Sequence, residues 1–308
     1  MWLLLLAACT RDPVDTDTDT DTDTDSGADT DSGDPLPTYV LSVSSYFGDV
    51  IHLFDPDTGE PIGEVTGLDG PQTVEVGPDG DWIACSELQN AIVRIDPVSY
   101  AVTGTVVADD PETLDDETGG LLGPDAATFG SDGHLYVSSF ETDAVLRYTA
   151  AGVFVDVFVA PKAGGLNGPD LGLGFDPDGA LVVPGWYSDR VHRYDPATGE
   201  PLTDLVPDGA GLGAPREVRF DRSGVAYVTG FDSDGVLRVD VSGTITELVP
   251  LNGAAGMAID EDRGVMYVSS GADDQVHAYD LATGYYLGEL MAHEAIDGAT
   301  AVELLRVP

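Results

Sequence analysis

Four polar side chains stand directly behind a Gly-Pro or Ala-Pro pair: Gln72 after Pro71, Asp125 after Pro124, Asp170 after Pro169 and Arg216 after Pro215. The pair recurs in degenerate form at Ala254-Ala255 and at Gly298-Ala299, the latter followed by Thr300. Carboxylates from neighbouring units could share a hard cation such as Ca²⁺ or Mg²⁺, which takes oxygen ligands, so Asp125 and Asp170 are the candidate metal ligands. A second recurring position holds Tyr46, Glu87, Phe140, Trp186, Phe231 and Gly271, and Tyr187 follows Trp186. Flat aromatic faces with a few polar groups suit a sugar, a peptide or an aromatic metabolite. With Gln72 and Arg216 they form the candidate ligand-binding set. The competing reading is that these rings pack between neighbouring units and meet no ligand.

Signatures of covalent or metal catalysis are missing. No Gly-x-Ser-x-Gly, no His-Glu-x-x-His and no phosphate-binding glycine loop followed by Lys occurs, and no catalytic residue is assigned. His52, His192 and His277 share one column inside a strand and read as structural, and His134 and His293 have no evident partner. Asp176–Gly179 and Asp232–Gly235 lack the remaining ligands of a calcium loop and read as turns. Cys85, in the apolar run Trp82-Ile83-Ala84-Cys85, reads as a small buried hydrophobe.

The elements that must position these residues come from one repeated unit. Val43–Phe54, Ala84–Ile95, Val137–Tyr148, Val183–Tyr194, Val228–Val239 and Val268–Tyr279 are six gap-free copies of a twelve-residue stretch. Its seventh position is Asp49, Asn90, Asp143, Asp189, Asp234 or Asp274, and its ninth is always Ile or Val. Short apolar runs punctuated by Pro-Asp-Gly and Asp-Pro-x-Thr-Gly turns predict four strands per unit, and no stretch shows helical periodicity. A unit of this length with four strands is a propeller blade. The first copy lacks its opening strand, and the segment from Asp297 to Leu304 offers one with nothing after it. The sequence therefore predicts an all-β, six-bladed β-propeller of four-stranded blades, its first blade closed by the C-terminal strand. The loops after each second strand and before each first strand share the channel face. An acidic insertion at residues 108–120 (Asp109, Asp110, Glu112, Asp115, Asp116, Glu117) is expected to overhang that mouth.

Gly77-Pro78-Asp79-Gly80 and the following Asn90-x-Ile92-x-Arg94-Ile95 resemble the repeats of NHL-type propellers, and of the gluconolactonase-like and streptogramin B lyase propellers. The resemblance spans about residues 38–308 and implies the fold. In the gluconolactonase-like families an Asn after such a Gly-Pro, an Asn before a Gly and an early Glu bind the metal. Here Asp170 holds the first place and Asn167 and Asn252 precede glycines, but no Glu stands early in the first blade. Streptogramin lyases use His and Glu at the channel, whereas the recurring histidines here lie inside a strand.

The N-terminus is an address. Leu6-Ala7-Ala8-Cys9 resembles the lipobox of a bacterial lipoprotein signal peptide, which implies a signal over residues 1–8, cleavage before Cys9 and lipidation of that thiol. No basic residue precedes the short apolar run, so a translation start upstream of Met1 is expected. Residues 9–37, with Asp-Thr unbroken from Asp15 to Asp25, read as a disordered tether. Of the chain's 56 acids and 12 bases, ten acids and one base precede Thr38, leaving a net charge of −35 on the propeller. Such a surface repels nucleic acid and anionic headgroups, so membrane attachment is expected through the lipid alone. The expected protein is a monomeric envelope lipoprotein, facing periplasm or exterior, that binds a small molecule, glycan or protein at its channel face. The alternatives are a divalent-metal-dependent hydrolase (lactonase-like) or lyase, or a structural component of an envelope assembly.

Overall fold

The computed structural model describes residues 39–108, 116–292 and 295–307. Cys9, the signal and tether, Asp109, Asp110, Glu112, Asp115 and His293 lie outside the described residues. The described chain is a ring of six antiparallel sheets. Blade 1 contains β1 (Tyr39–Ser45), β2 (Val50–Phe54) and β3 (Pro61–Val65). Blade 2 is β4 (Pro71–Val76), β5 (Trp82–Ser86), β6 (Ala91–Ile95) and β7 (Val102–Val107). Blade 3 is β8 (Pro124–Phe129), β9 (His134–Ser139), β10 (Ala144–Thr149) and β11 (Phe154–Val159). Blade 4 keeps a two-residue β12 (Gly174–Phe175) before β13 (Leu181–Gly185) and β14 (Arg190–Tyr194). Isolated bridges Val191–Val206 and Tyr194–Pro201 stand in for its outer strand. Blade 5 is β15 (Pro215–Phe220), β16 (Ala226–Gly230), β17 (Gly235–Val239) and β18 (Ile245–Pro250). Blade 6 is β19 (Ala254–Asp260), β20 (Val265–Ser270), β21 (Gln275–Asp280) and β22 (Tyr286–Ala292). The last strand, β23 (Ala299–Arg306), pairs antiparallel with β1 from Tyr39–Arg306 to Ser45–Ala299 and completes blade 1, as the sequence predicts.

Six hydrophobic cores fill the six gaps between adjacent blades. One between blades 1 and 2 joins Ile51 and Leu53 to Trp82, Ala84 and Leu305. Another between blades 6 and 1 joins Tyr267 and Val276 to Leu41, Val43 and Val302. Burial is thus between neighbours, and no single blade could bury its own faces.

The seventh position of the repeat explains itself in this ring. All six residues there have φ between 52° and 57°, a conformation that Asp and Asn tolerate better than other side chains. Each turns its Oδ1 onto the backbone N–H that opens the next blade. Asp49 accepts from Gly70 at 3.0 Å, Asn90 from Gly123 at 2.8 Å and Asp143 from Gly168 at 2.8 Å. Asp189 accepts from Ala214 at 2.9 Å, Asp234 from Gly253 at 3.2 Å and Asp274 from Gly298 at 2.8 Å, which closes the circle. The accepting column is what staples blade to blade.

Candidate functional site

The residue that receives this staple also sets the channel mouth. Its carbonyl accepts from the amide of the fourth repeat position in its own blade. Gly298 bonds Tyr46, Gly70 bonds Glu87, Gly123 bonds Phe140, Gly168 bonds Trp186, Ala214 bonds Phe231 and Gly253 bonds Gly271, all at 2.8–3.0 Å. Every blade therefore holds its post-proline side chain and its fourth-position side chain against the same rim. The opening residue has positive φ in each blade, and Gly supplies it everywhere except Ala214 (φ 46°). A Cβ on Gly168 would fall 2.9 Å from the ring of Tyr187 and 3.1 Å from that of Phe140, so the aromatic wall leans directly on these glycines.

The structure brings all ten candidate residues to one cavity of about 300 Å³: Gln72, Asp125, Asp170 and Arg216 on its floor, Tyr46, Glu87, Phe140, Trp186, Tyr187 and Phe231 on its wall. The rings face the cavity half-buried rather than lying fully inside the blade interfaces, and Tyr187 is 62% exposed. They also touch one another: Trp186 lies 5.3 Å from Phe231 and Phe140 5.7 Å from Tyr187. Phe47, at the same repeat position as Tyr187, joins the lining and stands edge-on to Tyr46 at 5.1 Å.

The floor is a charged network. Arg216 donates from Nε and Nη2 to the two oxygens of Asp170, both at 3.2 Å, and its guanidinium sits 5.2 Å above the Trp186 ring. Gln72 Nε2 donates to Glu87 Oε2 at 2.7 Å, and Tyr46 and Asp125 also hydrogen-bond Glu87. Burial raises the pKa of both Asp125 and Asp170. Asp170 is held back by Arg216, whereas Asp125 is pushed well above its ordinary value by burial and then by the negative charges of Asp170 and Glu87. A hydrogen bond between the Asp125 and Glu87 carboxyls requires one proton between them, and the raised pKa of Asp125 is in line with that. Two buried atoms then remain without a protein partner: Gln72 Oε1 and Asp125 Oδ1.

These groups do not fit a divalent cation. The guanidinium of Arg216 occupies both oxygens of Asp170, and no group of three or more His, Cys, Asp or Glu among the described residues could hold a metal. The early Glu of the gluconolactonase-like pattern has no counterpart from blade 1 in the lining, whose one glutamate, Glu87, comes from blade 2.

Deeper in the channel a second tier escaped sequence reading. Glu75 from blade 2, Glu217 and Arg219 from blade 5 and Glu303 from blade 1 meet there. Arg219 bonds Glu303 through Nη2 and lies 3.5 Å from Glu217 through Nε. Burial first, then the charge of Glu303, pushes Glu75 up to about 7. Burial likewise pushes Glu217 up to about 8, against the opposing pull of Arg219.

One constellation looks catalytic. Ser188 Oγ is 2.9 Å from His192 Nε2, and His192 Nδ1 is 3.2 Å from Asp204 Oδ1. The repeat shows what it is. Blades 1, 2, 3 and 6 carry Ser45, Ser86, Ser139 and Ser270 at the third position, where blades 4 and 5 carry Gly185 and Gly230. A Cβ on Gly185 would fall 2.2 Å from Ser188 Oγ, and one on Gly230 2.0 Å from Ser233 Oγ. In both blades a serine three residues later returns a hydroxyl to the vacated place, and blade 5 does so with Leu237 where blade 4 has His192. Ser188 is not among the cavity's lining residues. His52 and His277 are buried like His192, in keeping with structural roles. Cys85 is fully buried, and that burial pushes its thiol far up and leaves it unreactive.

No protein-family model and no curated protein matches the chain. Solved structures match its fold. A chain of a nidogen/laminin complex superposes with a TM-score of 0.69 at 15% identity, covering 87% of this chain and 98% of that one. A protein of unknown function from Bacteroides caccae gives 0.62 at 16% identity, covering 88% and 100%. Virginiamycin B lyase from Staphylococcus aureus gives 0.58 at 13% identity, covering 84% and 86%. The fold is therefore that of a six-bladed β-propeller, and at these identities the likeness extends to the fold alone.

Proposed function

We propose that this chain is a lipid-anchored extracytoplasmic propeller that binds a ligand, without turning it over, in the cavity at its channel mouth. The observation that carries the reading is the pairing of Gln72 Oε1 and Asp125 Oδ1, buried and unpartnered, with an aromatic wall around them. A buried polar atom without a partner costs about 1–3 kcal/mol, and a ligand that satisfies it recovers that cost. A lyase or hydrolase reading finds less support: no histidine lines the cavity, and its carboxyl groups are engaged with Arg216 or with one another. Virginiamycin B lyase shares the fold, and nothing in the lining argues for the same reaction here. Lipidation of Cys9 is supported by the lipobox-like Leu6-Ala7-Ala8-Cys9, and Cys9→Ser should move the protein from the membrane to the soluble fraction. For the site, calorimetric titration against a panel of amines, alcohols, carboxylates and hexoses tests the reading. At least one class should bind, and Trp186→Ala should weaken it by about 2 kcal/mol while the melting temperature stays near that of the parent. Binding that ignores Trp186→Ala would place the ligand elsewhere.

A further inference from the structure

The two buried atoms of the cavity lining that have no protein partner, Gln72 Oε1 and Asp125 Oδ1, are both acceptors. Gln72 gives one of its two amide N–H donors to Glu87, and its carbonyl oxygen has no partner. Asp125 shares its proton with Glu87, leaving Oδ1 as a second acceptor. Arg216 is turned onto Asp170 and capped by Trp186. An alcohol or sugar hydroxyl offers a donor and also brings lone pairs that need donors. An ammonium group offers donors only. The charge tally agrees: Glu87 and Asp170 against Arg216, with one proton shared between Asp125 and Glu87, leave the floor with a net charge of about −1. Around it Tyr46, Phe140, Trp186 and Phe231 present rings that attract cations. The propeller's net charge of about −35 raises the local concentration of any cationic ligand.

We propose that the channel-mouth cavity takes a small organic primary amine as its ammonium ion, which donates to Gln72 Oε1 and Asp125 Oδ1 beside Glu87 and lays its hydrocarbon part against Trp186 and Phe140. This rests on the binding reading above and adds the ligand's chemical class. The cavity has room for an arylalkyl amine and no cluster suited to a metal ion.

Calorimetric titration with phenethylammonium, its neutral isostere 2-phenylethanol, the anion phenylacetate and a hexose tests it on the full chain. Phenethylammonium should bind at least tenfold more tightly than 2-phenylethanol, and phenylacetate should not bind. Glu87→Gln, which preserves shape and removes the charge, should abolish that preference by weakening the amine alone. Tighter binding of the alcohol or the hexose would overturn the amine and leave the cavity a binding site of another class. A preference for the amine that survives both Glu87→Gln and Trp186→Ala would mean capture by the acidic surface, and would overturn the amine site. If none of the four compounds binds, both the amine and the cavity as a small-molecule site fall.

Discussion

Single side chains here do work that their types alone misstate. Ser188, His192 and Asp204 have the spacing of a hydrolytic relay, yet Ser188 is a replacement hydroxyl for the serine that Gly185 displaced. An alkyl fluorophosphonate should therefore leave Ser188 unlabelled, and Ser188→Ala should cost about 1 kcal/mol of stability in urea unfolding; labelling at Ser188 would restore the catalytic reading. Glu217 is the opposite case, a residue with no motif and a large consequence. Its carboxyl and that of Glu75 titrate near 8 and 7 in the folded protein, above the value of about 4.3 for an unfolded glutamate. Folding favours their neutral forms, so the stability they lend is full below about pH 4 and is lost as pH rises through 7 and 8. Glu217→Gln should leave the melting temperature nearly unchanged at pH 4 and raise it at pH 9, by the equivalent of several kcal/mol. An equal shift at both pH values would show that Glu217 is not neutral in the fold.

At the scale of strands and turns, the repeat was legible because its determinants are local. The seventh-position Asp or Asn, the ninth-position Ile or Val and the Gly-Pro pair each answer to one backbone conformation or one core position. Their alignment gave the blades, and the post-proline and fourth positions gave the cavity. The deeper tier was not legible, because the innermost strands do not alternate simply. Register shifts between Pro71 and Val74, Pro124 and Ala127, Pro215 and Val218, and Ala254 and Met257 insert a bulge. After a bulge, alternation no longer tells which side chains face the channel, and so the convergence of Glu75, Arg219 and Glu303 was hidden. The short β12 of blade 4 was hidden likewise, since Gly172 just ahead of it packs against Val218 and Glu217, where a Cβ would fall 2.3 Å from the backbone. The staple invites its own test. Asn90→Ala removes the acceptor for Gly123 and leaves a residue poorly suited to φ of 52°. A loss of about 1–3 kcal/mol is expected, with Asn90→Asp close to neutral because the same oxygen is offered. If Asn90→Ala and Asn90→Asp cost the same, the column is conserved within the chain for some reason other than the staple.

For the molecule as a whole, stability depends on closing the circle. Each core lies between two blades, so an open ring leaves two apolar faces uncovered rather than one strand unpaired. β23 contributes to both cores that flank blade 1: Leu305 packs with Trp82 and Ile51, and Val302 packs with Val276 and Leu41. Trp82, fully buried, also donates its Nε1 hydrogen to the carbonyl of Arg306 at 3.4 Å. The last link in the staple, Asp274 to Gly298, belongs to the same segment. A chain ending before Asp297 should lose its cooperative melting transition and bind a hydrophobic dye. Because such a chain could simply aggregate, Leu305→Asp in the full-length protein provides the milder test. It buries a charge between blades 1 and 2 without removing β23, and should lower stability by about 3–5 kcal/mol. A synthetic peptide of residues 297–308 added to the freshly refolded truncated chain should restore the transition. A truncated chain that melts like the parent, or a Leu305→Asp variant of unchanged stability, would show that the ring does not depend on its C-terminal strand.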